Sequence, residues 1–142
     1  ETDKAFFAGK ELYLLRNLSR GRGIGFFEAG NFYPDFIVWL LVKDKQYISF
    51  VDPKGIRNLE GVEDPKIGFF QTIKKLEERL GDPLVILNSF IIANTRFEQV
   101  DHWLKPGIGK PMTKADFEEK NVFFQNEDKA TYIGKLLSKA IS

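Results

Sequence analysis

Two aspartates and a lysine, Asp35, Asp52 and Lys54, are of the types that hydrolysis at phosphorus uses. A hard cation such as Mg²⁺ takes oxygen ligands and keeps several of its waters, so two carboxylates suffice to hold it. Such a cation polarises a phosphate and activates water. A lysine beside the pair can orient or deprotonate the attacking water and offset negative charge in the transition state. Whether the three groups meet depends on the segments that carry them.

Residues 35–42 (DFIVWLLV) are apolar and rich in β-formers, and residues 46–52 (QYISFVD) mix β-branched and aromatic side chains, so both read as strands. The polar turn Lys43-Asp44-Lys45 between them predicts an antiparallel hairpin. Side chains alternate along a strand, so Asp52 and Lys54 share a face if the extended backbone continues through Pro53. If Lys43 pairs with Gln46 around a two-residue turn, Asp35 faces Lys54; a three-residue turn makes it face Pro53. Either register brings Asp35 within about one residue step of the Asp52–Lys54 pair, and opposed residues sit roughly 4.5–5.5 Å apart. Two carboxylates at that spacing can share one cation.

Pro34-Asp35, a hydrophobic strand, and then Asp52-Pro53-Lys54 closing a second hydrophobic strand resemble the PD-(D/E)XK nuclease superfamily. The phrase FYPDFIVWLL…QYISFVDPKG is most similar to nuclease domains attached to superfamily 2 helicases, as in type III restriction enzymes. The resemblance covers residues 25–92 well and the two ends weakly. It implies a restriction-endonuclease-like αβββαβ core and DNA hydrolysis dependent on Mg²⁺, with Mn²⁺ as a substitute. It further implies that Asp35 and Asp52 ligate the metal, that Lys54 positions the water, and that the Pro53 main-chain carbonyl is a further ligand. An acid from the first helix often assists in this family; Glu11 and Glu28 are the candidates, and Glu28, which ends a short strand, is preferred. DNA and a helicase motor in the same longer chain are the implied partners, and the cytoplasm the implied location. A non-catalytic DNA-binding or structural module on the same fold is the alternative. Two departures stand out: Asp replaces the commoner Glu at position 52, and Gln71 has Lys75, not Tyr, four residues on.

The acid-x-Lys element alone has little weight, because it occurs four times, at Asp52-Lys54, Asp64-Lys66, Glu118-Lys120 and Glu127-Lys129. Only the first closes an apolar strand and follows a Pro-Asp hairpin partner.

The rest of the chain must build the support. Apolar residues Ile67, Phe70, Ile73, Leu76 and Leu80 recur at helical spacing, with Asp64 as N-cap, Pro65 at the first helical position and Gly81 as the stop. Lys74, Lys75, Glu77, Glu78 and Arg79 form its expected wet face. Residues 84–92 (LVILNSFII) read as a buried strand, 122–125 as a short one, and 128–141 as an amphipathic helix with Tyr132, Ile133, Leu136, Leu137, Ala140 and Ile141 along its stripe. Toward the amino end, residues 4–10 suggest a helix, 12–16 a strand and 25–28 another; residues 19–23 (SRGRG) and 105–114 (KPGIGKPMTK) read as loops. Arg20, Arg22, Lys105, Lys110 and Lys114 on those loops are candidates for contacts with a phosphate backbone. The order predicts an α/β fold, bordering on α+β, with helices packed on a mixed sheet.

Composition sets the outer bounds. A chain of 142 residues with 43% hydrophobic and 29% charged residues suits one globular domain, here expected to be a piece of a longer protein. The absence of cysteine excludes disulfides, thiolate metal sites and cysteine nucleophiles. The 14 Phe predict an aromatic core; Phe32, Tyr33 and Trp39 are the aromatics to examine for exposure. A net charge of +1 leaves any nucleic-acid affinity to local patches. His102, the single histidine, reads as a packed or surface residue. No apolar run is long enough to span a bilayer.

Overall fold

The computed structural model describes residues 8–17, 33–57, 59, 61–125 and 132–142. Five strands form one mixed sheet in the order of the chain: β1 (Lys10–Arg16), β2 (Phe36–Val42), β3 (Lys45–Lys54), β4 (Val85–Ala93) and β5 (Val122–Phe124). The first three make an antiparallel meander, and β3, β4 and β5 run parallel. Three α-helices, α1 (Pro65–Leu80), α2 (Lys114–Glu119) and α3 (Tyr132–Ala140), and a single 3₁₀ turn at Phe97–Gln99 complete the described fold. This is an α/β architecture, with α1 as the crossover that makes β3 and β4 parallel. No helix among the described residues is long and apolar enough to cross a membrane.

The hairpin turn is two residues long but sits one residue earlier than the two-residue turn predicted, which gives a register outside both of those expected. Its turn is Lys43–Asp44, with Lys43 at φ +55°, so Val42 pairs with Lys45 and Phe36 with Val51. Asp35, one residue ahead of β2, therefore comes opposite Asp52 instead of Lys54 or Pro53. Strand alternation then separates two core faces. Ile37, Phe50 and Leu87 pack under Phe69 and Ile73 of α1. Ile91, Ala93, Val122 and Phe124 continue that face beneath Ile67 and Phe117. Val51, Phe90, Ile92 and Phe123 face the other way and meet Leu136, Leu137 and Ala140 of α3.

Helix α1 starts and stops as its sequence predicts. Asp64 Oδ1 accepts from Lys66 N at 2.9 Å, Pro65 opens the helix, and Gly81 closes it at φ +64°. Its buried face differs from the predicted stripe at two points: Phe69 is fully buried while Phe70 is half-buried under the Lys120 ammonium at 5.7 Å, and Leu80 is exposed. Periodicity locates a stripe but leaves adjacent phenylalanines 100° apart to be chosen by the surface below. Lys74 also leaves the expected wet face. Its Nζ donates to Leu87 O at 2.7 Å, and Asn121 Nδ2 donates to Ser89 O at 3.0 Å. Strand β5 pairs only with residues 91–93, so these two side chains satisfy β4 carbonyls that lack a strand neighbour.

Helix α2 begins at Lys114, where the sequence reads as loop. Thr113 caps it, its Oγ1 accepting from Asp116 N at 3.2 Å while Asp116 Oδ2 accepts from Thr113 N at 2.8 Å. Of the amino-terminal readings, the strand at 12–16 is present as β1, whereas the helix suggested at 4–10 is contradicted at its described end: Ala8 and Gly9 form a turn, Gly9 at φ +71°, and Lys10 already begins β1; residues 1–7 and the strand proposed at 25–28 lie outside the described residues, as do positions 128–131 of the last helix.

Candidate active site

The carboxyl ends of β3 and β4 and the start of β2 lie at one end of the strands, the place where open α/β sheets present their ligands. Strand β3 runs on through Pro53 to Lys54, which pairs with Ala93, and Asn94 N donates to Lys54 O at 3.1 Å. The main-chain groups of successive strand residues point to opposite sides. Those of Lys54 therefore point to β4, and those of Pro53 point toward the β2 side, where β2 has already ended. Proline's missing N–H costs no ladder bond at such a position. The same alternation keeps Asp52 and Lys54 on one face, and their side chains meet: Lys54 Nζ lies 2.9 Å from Asp52 Oδ2.

Asp52 is only 4% exposed. Its second oxygen, Oδ1, accepts from Asp35 N at 3.2 Å. Burial pushes the Asp52 carboxyl above the usual carboxylate range, against the opposing pull of Lys54 and the Asp35 N–H; the Asp35 carboxylate adds to the rise. Asp35 itself is exposed, and buried Pro34 precedes it. Asn17 fixes that approach: its main-chain N donates to Asp35 O at 2.8 Å and its Nδ2 to Pro34 O at 2.9 Å. After Lys54 the chain turns closely past β4. A Cβ on Gly55 would meet Asn94 Oδ1 at 3.2 Å, and Ile56 N donates to the buried Thr95 Oγ1 at 2.8 Å.

Two carboxylates are thus neighbours at the strand ends in the middle of the sheet, one exposed and one buried beside a cation. The buried charge is poorly compensated, as its raised pKa shows, and an added divalent cation would stabilise it. The donor set fits Mg²⁺, which needs one or two carboxylates and fills its remaining positions with water and substrate oxygens. No group of three or more His, Asp or Glu able to hold a metal occurs among the described residues. Glu28, the preferred third acid, lies outside them. Glu11 is excluded as its substitute: it pairs with Leu41 at the far end of β2, about 20 Å from Asp35 at strand rise.

Comparison with family models, with curated proteins and with solved structures returns no match. The functional reading therefore rests on the residues and their arrangement.

The basic candidates divide. Arg20 and Arg22 lie outside the described residues. Lys105 pairs with Asp116 at 3.2 Å, Lys114 opens α2 with its ammonium 6.0 Å from the centre of the Phe97 ring, and Lys110 is exposed. His102 is exposed. Phe50, Phe69, Phe90, Phe117, Phe123 and Phe124 are core, Tyr33 and Trp39 are half-buried, and Phe32 lies outside the described residues. An apolar hollow of about 330 Å³, lined by Leu14, Val38, Val51, Ile92 and Ile133 among others, opens on the face of α3, away from the carboxylates.

Sequence reasoning missed Asn17 and Thr95. Neither sits in a recognisable motif, and each acts on residues 17 or more positions away.

Proposed function

We propose that this chain is a metal-dependent DNA endonuclease domain, the nuclease part of a longer cytoplasmic protein that also carries a helicase motor. The observation that carries the reading is the double engagement of Asp52, with Lys54 Nζ on one oxygen and the Asp35 N–H on the other. That arrangement gathers the residues of the Pro-Asp…Asp-x-Lys pattern at one point. The described elements also run βββαβ through β4, the order that the family resemblance implies after its first helix.

In this reading Asp35 and Asp52 hold a Mg²⁺, and the Pro53 carbonyl, free of the β4 ladder, is a further oxygen donor. When bound, the cation would polarise the scissile phosphate and lower the pKa of a bound water. Lys54 keeps its ammonium on the Asp52 carboxylate while its side chain remains 23% exposed, so it can orient a water beside that carboxylate. Its charge also offsets negative charge gathering on the phosphate oxygens. Exposed Asp35 presents its carboxylate to solvent, from where a phosphate could approach. The net charge of +1 provides little general attraction, so DNA affinity should come from a few basic residues such as Lys110 and fall steeply with salt.

The test is nicking of supercoiled plasmid DNA with Mg²⁺ or Mn²⁺, in the full-length protein where the isolated chain is inert. Cutting should need the divalent ion and disappear in Asp52→Asn and in Lys54→Ala. Metal binding should weaken in the first and persist in the second. Cutting by Asp52→Asn at the unsubstituted rate would sink the proposal. DNA binding with no cutting under any divalent ion would favour the non-catalytic module.

A further inference from the structure

Asp35 is a peculiar place for a metal ligand. It lies ahead of β2, its side chain is exposed, and the last paired residues of β1 and β2 are Arg16 and Phe36. We propose that Asn17 is the positioning residue that orients Asp35 and, through it, Asp52. This rests on the reading of the two aspartates as the metal-binding pair.

The geometry centres on a single peptide group, the one joining Pro34 to Asp35. Asn17 Nδ2 donates to its oxygen at 2.9 Å, and its N–H donates to Asp52 Oδ1 at 3.2 Å. A peptide group is planar, so holding both its oxygen and its N–H fixes the plane. Pro34 narrows the freedom on one side through its ring-locked φ. On the other side Asn17 N holds Asp35 O at 2.8 Å. The main chain around the Asp35 Cα is thus gripped on both sides, and the carboxylate is launched from a fixed base. The chain of donors runs Asn17 to peptide to Asp52. Accepting at its oxygen polarises the peptide and strengthens its N–H as a donor. The side chain of Asn17 therefore supports both carboxylates through this one peptide group.

The experiment measures Mn²⁺ affinity, by following free Mn²⁺ resonance during titration, together with the melting temperature. The variants are Asn17→Leu, which keeps the shape and removes the donor, and Asn17→Gln, which keeps a donor on a longer arm. The control is Asn88→Ala, which removes the bond from buried Asn88 Nδ2 to Ala140 O at 2.9 Å, on the α3 face of the sheet. Asn17→Leu should bind Mn²⁺ about 10- to 100-fold more weakly, the usual cost of losing a group that orients a metal ligand. Asn17→Gln should recover part of that loss, and Asn88→Ala should melt lower yet bind Mn²⁺ like the unsubstituted chain. If Asn17→Leu does not fold, Asn17→Ala, which also removes the donor, carries the same expectation. Unchanged Mn²⁺ affinity in the donor-free variant overturns the role of Asn17. Absence of Mn²⁺ binding in the unsubstituted chain, or equal binding by Asp52→Asn, overturns the metal-pair reading itself and this proposal with it.

Discussion

The tripeptide Asp-Pro-Lys occurs twice in this chain, twelve residues apart, and both aspartates are buried, yet the two copies are built into different structures. At 52–54 it ends a strand. The extended backbone puts both charged side chains on one face, and they pair at 2.9 Å. At 64–66 it starts a helix. Asp64 takes φ −57° and ψ 133°, its carboxylate turns to accept Lys66 N at 2.9 Å, and its main-chain oxygen accepts from Ile67 and Gly68. In the second copy the acid is occupied with backbone donors that a helix start leaves over. In the first, one oxygen faces an ammonium and the other a neighbouring strand, and burial leaves the charge short of compensation. The flanking element, not the motif, decides which aspartate is available for chemistry.

That contrast is sharpest in catalysis. The double variant Asp64→Asn, Lys66→Ala should retain divalent-dependent plasmid nicking, whereas Asp52→Asn and Lys54→Ala should each lose it by a hundredfold or more, on the order found when a transition-state contact is removed. Loss of cutting confined to the 64–66 variant would reverse the assignment of the two copies.

Stability should rank the copies the other way. Asp64→Ala removes the N-cap of the sixteen-residue helix α1 and should cost about 1 kcal/mol in chemical denaturation. A loss near zero would mean that the cap is dispensable.

The next effect is smaller and opposite in sign. Because the folded-state pKa of Asp52 is raised, the stability tied to this group is present below its unfolded pKa and lost as pH rises through the folded value. At neutral pH the ionised carboxylate is therefore a burden on the metal-free chain. Asp52→Asn should melt above the unsubstituted protein at pH 7, and the gap should close on acidification through the raised pKa. A variant that melts lower at pH 7 would show that Lys54 and the Asp35 N–H outweigh burial. Added Mg²⁺ should narrow the same gap by stabilising only the aspartate form.

Much of the architecture was legible in local pattern. Alternating and β-branched residues marked β2, β3 and β4, and the Asp64-Pro65…Gly81 punctuation bounded α1. Asp52 and Lys54 on one face followed from alternation alone. The short helix α2 was harder, because six residues barely express a period; only the Thr113-x-x-Asp116 capping pair announced it.

What the tertiary structure decided is register and burial. The hairpin turn at Lys43–Asp44 shifted Asp35 from Lys54 or Pro53 to Asp52. Nothing local sets that choice, since a two-residue turn at 43–44 fits the polar sequence as well as one at 44–45, and the packing of Ile37, Phe50 and Phe69 settles it. The selection of Phe69 over Phe70, the descent of Lys74 to the β4 edge and the grip of Asn17 on the Pro34–Asp35 peptide are of the same kind. Each depends on a surface contributed by residues distant in the chain. The sequence by itself determined which residue types stand at the strand ends. Only the folded sheet, by bringing Lys54 and Asp35 onto the two oxygens of Asp52, decided which of two identical tripeptides became the candidate site.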